Sequence, residues 1–425
     1  MKKGDMKYHA YVRILKEELV PAMGCTEPIA LAYAAAKARE VLGCIPQKVF
    51  VEASGSIIKN VKSVIVPNTG HMKGIPAAVA AGIVAGKADR VLEVIADVTP
   101  EDIINIREYL ENTNIKVRHS ESGVTFEILI TVIAEESYVK IRIVNYHTNI
   151  VLIEKDGEII HRLPVLGESE EGLTDRSVLN LADILDFANT VEITDIKKVL
   201  ERQIACNMAI SEEGLRGDYG ANIGSVMLDA YGDGIMNRAK AKAAAGSDAR
   251  MNGCELPVII NSGSGNQGMT TSIPVIEYAR ELQVGEEKTL RALALSNLVT
   301  IHQKTGIGRL SAFCGAVSAG AGAGAGIAYL LDGSYEAIAT TISNALGNVA
   351  GIVCDGAKAS CAAKIASAVE AGILGYNMYK RGQRLCGGDG IIGEDIEKTI
   401  TNVGRLGRCG MKHTNEEIIK IMVGR

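Results

Sequence analysis

Three cysteines in the C-terminal third of the chain have the spacing that most strongly indicates a chemical function. Cys314, Cys354 and Cys361 form a C-x39-C-x6-C pattern. On one continuous helix, the last two would lie about 10 Å apart along the axis. Because Asp355-Gly356 is a good helix breaker, Cys354 can instead lie in a loop and Cys361 in the first turns of the next helix.

Three thiolates with one open position suit two kinds of metal site. One is an iron–sulfur cluster in which one iron has no cysteine ligand, and the other is a zinc ion with an exogenous ligand. The alternative is that these are free cysteines buried in an alanine-rich core, where such thiols are common. The spacing alone leaves these alternatives open, since no short C-x2-C pair is present.

A fourth cysteine lies where a helix is predicted to begin. Cys25 is part of Met23-Gly24-Cys25-Thr26-Glu27-Pro28, and a proline just inside a helix start is an ordinary start signal. Backbone N–H groups and the helix dipole favour a thiolate at that position. Cys25 is therefore a candidate nucleophile, base or fourth cluster ligand, and the alternative is a thiol without a role.

A glycine-rich run follows a short predicted strand at Leu256–Ile260. Gly263, Gly265 and Gly268 match G-x-G-x-x-G, but the following segment is helical and supplies no second strand ending in an acid, as a dinucleotide fold requires. The run instead predicts a nest of N–H groups for a small carboxylate or phosphate, or simply a tight turn. Its candidate binding residues are Ser262, Gly263, Ser264, Gly265, Asn266 and Gln267.

Two further polar loops are candidates for the same site. His302, Lys304 and Arg309 directly precede the first of the three spaced cysteines and can supply positive charge or a proton-transfer group, with Lys304 the candidate catalytic residue. Asn68 and Thr69 belong to a similar glycine-containing loop between a predicted strand and a helix. A histidine beside a core helix is also commonly a satisfied core residue.

Composition excludes several functional classes. The 425 residues carry 45 Lys and Arg against 50 Asp and Glu, so a net charge of −5 argues against nucleic acid and anionic membranes as partners. With 47% hydrophobic residues, disorder is excluded. Nine cysteines without a visible export signal predict reduced thiols in the cytoplasm.

The chain predicts an α+β fold with an Ala/Gly-rich core of buried helices. The uncharged stretch Ser311–Leu331 is interpreted as a buried helix, because Gly, Ala and Ser barely favour membrane insertion. Glycine-rich helices and large apolar faces are compatible with a homodimer. The predicted organisation is a helical part with short strands at 1–88, a small βαβββ module at 89–165, a linker at 166–195 and the cysteine-bearing helical core at 196–425.

The predicted elements of the first half are short. Helices are expected on both sides of Pro21–Gly24, at Pro76–Lys87 and at Pro100–Asn112. The expected strands are Lys48–Val51, Val61–Val66, Val91–Ile95, Thr125–Ala134, Tyr138–His147 and Ile150–Glu154.

Taken together, four segments resemble the L-cysteine desulfidases, which belong with bacterial proteins carrying the serine dehydratase alpha-chain domain. The segments are Gly24–Pro28, Asn261–Gly268, Lys304–Gly315 and Cys354–Cys361. The resemblance covers essentially the whole chain, and the order of four cysteines makes it specific. In the related L-serine dehydratases the last two cluster cysteines are spaced more widely, so the x6 gap here favours cysteine as the substrate.

The resemblance implies a [4Fe–4S] cluster and α,β-elimination on a small amino acid without pyridoxal phosphate. Cys314, Cys354 and Cys361 would hold three irons, and the fourth iron would act as a Lewis acid on the substrate's sulfur or hydroxyl. Cys25 would be either the base at Cα or a resting ligand displaced by substrate. The residues implied to hold the substrate carboxylate are Ser262, Ser264, Asn266 and Gln267. L-serine or another β-substituted amino acid is the alternative substrate, and an iron–sulfur sensor without turnover is the alternative of another class.

Overall fold

The second half of the chain forms long helices, as its alanine and glycine content predicts. The computed structural model describes residues 1–165 and 173–423. The α-helices are α1 (Met6–Glu18), α2 (Thr26–Leu42), α3 (Gly55–Val61), α4 (Gly74–Ala85), α5 (Pro100–Asn112), α6 (Leu181–Thr190), α7 (Ile193–Arg216), α8 (Ile223–Tyr231), α9 (Ile235–Met251), α10 (Gly265–Glu281), α11 (Glu286–Ile307), α12 (Gly315–Leu331), α13 (Tyr335–Val349), α14 (Ser360–Lys380), α15 (Ile396–Arg405) and α16 (Lys412–Val423).

The strands are confined mainly to the first half. They are β1 (Pro21–Met23), β2 (Lys48–Ala53), β3 (Ile115–His119), β4 (Glu127–Ala134), β5 (Ser137–Val144), β6 (Ile150–Lys155), β7 (Glu158–Arg162) and β8 (Pro257–Ile259). Two 3-10 helices span Ala88–Glu93 and Arg176–Val178, and a π-helix spans Leu406–Gly410. The α+β class predicted from the sequence is confirmed.

Helix α12 is the centre of the helical core, and its glycines explain how closely its neighbours approach. A Cβ on Gly320 would overlap the carbonyl of Ala368 in α14, and one on Gly324 would lie 2.7 Å from Cα of Gly372. Because side chains are absent at these contacts, the two helix backbones touch directly. The predicted buried helix within Ser311–Leu331 is therefore confirmed. Among residues 1–165 and 173–423, no helix is long and apolar enough to cross a membrane.

The six-stranded sheet has the order β3-β2-β4-β5-β6-β7. Strand β2 runs parallel to β3, and the other neighbours are antiparallel. In β4, Ile128, Ile130 and Val132 are completely buried on alternate positions, on the face that α2 covers. Strand β2 comes from the predicted segment 1–88 and the other five from 89–165, so one sheet joins these two segments. The domain bounds themselves stay a prediction.

Two predicted strands are wrong. Val61–Val66 begins at the end of α3, whose first turn is capped by the Ser54 hydroxyl accepting from the Ile57 N–H. Val91–Ile95 overlaps the 3-10 helix Ala88–Glu93, where Val91 has a φ of +52°, which no extended strand can contain. In both places the local turn geometry outweighs the β propensity of a short valine-rich run.

The strands β3 and β7 were not predicted, because both are largely exposed edge strands with a weak apolar pattern. Of the linker predicted at 166–195, residues 166–172 lie outside the described part of the chain. The rest is not a plain linker, since α6 follows there and completely buries Phe187.

A buried carboxyl in α9 predicts how the stability of this fold depends on pH. Asp248 accepts from the Gly224 N–H at the start of α8 (3.1 Å), while its Oδ1 has no hydrogen-bond partner. Burial raises the pKa of Asp248 from 3.8 to about 6, although the hydrogen bond from Gly224 opposes this. The folded state thus binds a proton that the unfolded state releases, and the free energy of unfolding falls as pH rises from about 4 to 6.

We expect Asp248→Asn to remove this fall, because the amide keeps an acceptor for Gly224 and does not ionise. The difference between variant and wild type should be absent at pH 4 and reach roughly 1–2 kcal/mol in favour of the variant at pH 7. Urea unfolding at the two pH values measures it. Equal pH dependence in both proteins would show that the Asp248 carboxyl titrates normally.

Candidate active site

Two of the spaced cysteines lie on adjacent extended segments. The Cys314 N–H donates to the carbonyl of Ile352 (3.1 Å), and the Cys354 N–H donates to the carbonyl of Ala312 (2.6 Å). Cys314 directly precedes α12 and is its N-cap residue. These reciprocal backbone bonds hold two residues that are distant in sequence side by side.

The third cysteine is positioned by a break in the chain. Gly356 has a φ of +97°, and its missing side chain admits the carbonyl of Lys59, which would lie 2.5 Å from a Cβ. Because the backbone turns there, Cys354 lies in a loop and Cys361 in the first turn of α14, as the sequence predicted. The loop is also fixed by the buried Lys59 ammonium, which donates to the carbonyl of Cys354 (3.1 Å).

The three thiols interact with one another. Burial and the charges of Cys354 and Cys361 raise the pKa of Cys314 to about 12. Lys364 lies next to them, donates to the carbonyl of Val353 (3.0 Å) and counteracts this rise with its positive charge. Three thiols from distant parts of the sequence therefore lie close to one another beside a lysine.

The donor set fits a cluster of several irons. Across residues 1–165 and 173–423, no three His, Cys, Asp or Glu side chains are close enough to hold a single ion. A cluster distributes its thiolates over different irons, so its ligands stand farther apart than those of one ion. Cys314, Cys354 and Cys361 come from three segments, and they are the residues that would hold such a cluster.

Cys25 is the N-cap residue of α2 and is buried. Its Sγ donates to Oε2 of Glu27 (2.9 Å), and burial together with that carboxylate raises the pKa of the Cys25 thiol. Glu27 Oε1 accepts from Asn60 Nδ2 (2.9 Å) and lies 4.0 Å from His147 Nε2. Burial alone would raise the pKa of Glu27, but His147, Cys25 and Asn60 together hold it well below its usual range. Glu27 is therefore a carboxylate at neutral pH.

The Cys25 thiol and a predicted cluster ligand share one apolar pocket. Cys25, Val64 and Met251 form a small buried cluster, and Cys361 packs against it. The N-terminal segment and the C-terminal core, which the sequence places more than 300 residues apart, thus contribute to the same site.

The glycine-rich run forms a tight turn directly before α10, and its use as a nest for an anion stays a prediction. The Ser264 N–H donates to the carbonyl of Asn261 (3.0 Å), which closes a tight turn in which Ser262 and Gly263 have φ values of +49° and +82°. The Thr26 hydroxyl donates to the carbonyl of Gly263 (2.7 Å). Because Thr26 follows Cys25, this bond fixes the nest beside the buried thiol.

Two residues beside this turn, Arg250 and His147, were not predicted, whereas Arg309 is a predicted source of positive charge or of a proton-transfer group. A Cβ on Gly263 would lie 2.9 Å from His147 Cε1 and 3.3 Å from Arg309 Nη1, and one on Gly265 would overlap Arg250 Nε. Arg250 and His147 stand in segments without any motif. The one available signal was the spacing of the glycines, which marks a backbone that other groups approach closely.

A cleft of about 790 Å³ opens beside the nest. Ser262, Lys304, Arg309 and Ala312 are among its lining residues. Lys304, the predicted catalytic residue, therefore faces this cleft from the last turn of α11. Buried Glu18 holds the Arg309 guanidinium at its edge (2.8 Å).

The loop containing Asn68 and Thr69 lies next to Cys25, but these two side chains form hydrogen bonds to nearby backbone carbonyls. Asn68 Nδ2 donates to the carbonyl of Ile95 (2.8 Å), and the Thr69 hydroxyl donates to that of Val66 (2.7 Å). A Cβ on Gly24 would lie 2.8 Å from Cγ of Pro67 in this loop. The contacts favour a role in shaping the wall beside Cys25, and substrate binding by Asn68 and Thr69 stays a prediction.

This chain is similar to known proteins over nearly its whole length. The family model for the serine dehydratase alpha chain matches residues 89–420. A UPF0597 protein of Desulfitobacterium hafniense is 61% identical over 425 residues, covering 100% of this chain and 99% of the relative. UPF0597 proteins of Lachnoclostridium phytofermentans and Treponema denticola are 53% and 49% identical, each over 98% of this chain and 100% and 98% of their own lengths. The matched residues include the nest and all three spaced cysteines, and the chain therefore belongs to the serine dehydratase alpha-chain family.

Proposed function

We propose that this protein is an iron–sulfur lyase of the cytoplasm that converts L-cysteine into pyruvate, ammonia and hydrogen sulfide. The supporting observation is the meeting of three elements in one place. These are the interacting thiols of Cys314, Cys354 and Cys361, the nest before α10, and the buried Cys25–Glu27 pair. The first element fits a cluster, the second an amino-acid carboxylate and the third a proton transfer.

Cys314, Cys354 and Cys361 would hold a [4Fe–4S] cluster. When bound, the cluster supplies a Lewis acid that weakens the bond between Cβ and the sulfur of the substrate. Lys364 compensates part of the negative charge of the thiolates, and it is held beside them by the carbonyl of Val353 and by its ion pair with the Asp355 carboxylate.

The nest orients the substrate. Backbone N–H groups at the start of a 17-residue helix attract a carboxylate, because the first turn leaves them without intrahelical acceptors. The bond from Thr26 to Gly263 keeps this nest at a fixed position relative to Cys25. An amino acid held there would lie near the Cys25 thiol, because Thr26 directly follows Cys25.

Cys25 and Glu27 move the proton. The Cys25 Sγ–H donates to Glu27 Oε2, which gives the thiol proton a path out. Burial and the Glu27 carboxylate raise the pKa of the thiol, and the positive charge of Arg250 opposes that rise and favours the thiolate. The resulting thiolate accepts the Cα proton while the Cβ–S bond breaks and its electron pair leaves with the sulfur. The aminoacrylate released tautomerises and hydrolyses to pyruvate and ammonia. Asn60 and His147 keep the Glu27 carboxylate in place.

L-serine is the second candidate substrate, because the matching family model is that of the serine dehydratase alpha chain. The two candidates are separated by pyruvate release from anaerobically reconstituted protein given L-cysteine or L-serine in parallel. We expect faster turnover of L-cysteine. Faster turnover of L-serine would assign the protein as a dehydratase, and an intact cluster without turnover of either would favour the sensor.

A further inference from the structure

A buried arginine lies directly behind the nest. Arg250 is in the last turn of α9 and is 2% exposed. Among residues 1–165 and 173–423, its Nε has no hydrogen-bond partner and no carboxylate forms an ion pair with it. A guanidinium buried without a counter-charge is costly, which indicates that an anion belongs beside it.

The position of this guanidinium shows where the anion would lie. It occupies the space that a side chain at Gly265, the first residue of α10, would fill. Burial raises the pKa values of Cys25 and Cys361, and the charge of Arg250 lowers both, so it is near both thiols. Arg250 therefore stands between the nest, the proton-transfer thiol and a predicted cluster ligand.

Acceptors without partners lie on the other side of the nest. Asn266 Oδ1 and Gln267 Oε1 are buried and have no hydrogen-bond donor among residues 1–165 and 173–423. The Gln267 side chain lies against Gly315, where a Cβ would be 2.6 Å from its Cδ, and thus next to Cys314. The nest is consequently flanked by the Arg250 guanidinium, which has no anion beside it, and by the side-chain oxygens of Asn266 and Gln267, which have no donor.

We propose that Arg250 binds the α-carboxylate of the substrate and that the side-chain oxygens of Asn266 and Gln267 accept from its α-ammonium. The site then recognises a free α-amino acid by both of its charged groups. This assignment rests on the proposed function, which requires an amino acid at the nest, but it concerns binding and not elimination. It also changes the expected role of Asn266 and Gln267 from carboxylate to ammonium recognition.

Calorimetric titration of the cluster-loaded protein under anaerobic conditions tests this assignment. The probes are L-alanine, which has both groups but no leaving group, propionate, which has only the carboxylate, and ethylamine, which has only the ammonium. For Arg250→Ala we expect affinity for L-alanine and propionate to fall roughly 10- to 100-fold, as for a lost charge-assisted hydrogen bond, with ethylamine unaffected. Arg250→Lys should recover part of the loss, and Arg280→Ala, at the other end of α10, should bind as wild type.

Several results would overturn the assignment. The first is that the wild-type protein does not bind L-alanine, and the second is that Arg250→Ala binds L-alanine and propionate as tightly as wild type. The third is that both Arg250 variants lose affinity for all three probes equally, which would indicate a purely structural role for Arg250. Failure of the proposed function has a different signature. In that case L-alanine binds with the expected dependence on Arg250, but L-cysteine yields no pyruvate.

Discussion

Cys354→Ala will lose its iron–sulfur cluster and, with it, elimination activity. Removing one of three protein ligands leaves two thiols, Cys314 and Cys361, for a cluster that has no fourth cysteine ligand in this assignment. We expect the visible cluster absorbance and the iron content to fall to near background after anaerobic reconstitution. Pyruvate formation from L-cysteine should fall about 10³-fold or more, because several kcal/mol of Lewis-acid stabilisation are lost.

Cys44→Ala is the matched control for that variant. Cys44 is an exposed thiol after α2 and distant from the nest in the sequence, so its removal tests whether any missing cysteine disturbs reconstitution. The control should keep full absorbance and activity. A Cys354→Ala protein with the iron, sulfide and activity of wild type would refute the ligand assignment.

Cys25→Ala will slow turnover while leaving the cluster in place. Loss of a positioned general base typically lowers kcat by about 10²- to 10⁴-fold. Glu27→Gln should lower kcat in the same direction, because an amide does not accept the thiol proton that Cys25 now donates to the carboxylate at 2.9 Å. The measurement is kcat for L-cysteine alongside the visible spectrum, with iron per chain expected to equal that of wild type.

The same pair of variants separates the two roles of Cys25. A base acts on the substrate only, so Cys25→Ala should have the wild-type cluster spectrum before substrate is added. A resting ligand, in contrast, contributes to that spectrum. If Cys25→Ala changed the cluster spectrum while Glu27→Gln kept the wild-type spectrum, Cys25 would be a cluster ligand and not the base.

The candidate site was predictable where its chemistry is local in the sequence. The helix breaker after Cys354 separates it from Cys361 as predicted, and the tight turn around Gly263 follows from the glycine-rich run. Arg250 and His147 were not predictable, because each reaches the nest from an element without a motif, one at the end of α9 and the other between β5 and β6. Their positions depend on packing between elements that are distant in the sequence, and no local sequence pattern indicates such packing.

The same distinction holds for the fold. The helices of the core and the strands β4 and β5 have strong patterns, and both were predicted. Val91, by contrast, belongs to a short valine-rich run whose backbone turns, and β3 depends on pairing with β2 from an earlier part of the chain. Sheet edges and turns are decided by tertiary partners, so a short apolar run alone does not determine them.

Cluster-dependent elimination is tested most directly by the product balance of L-cysteine with cluster-loaded and cluster-free protein, measured anaerobically side by side. We expect pyruvate, ammonia and sulfide in equal amounts from the loaded protein and none above background from the cluster-free protein. Equal pyruvate formation by both preparations would contradict a reaction that depends on Cys314, Cys354 and Cys361 as cluster ligands.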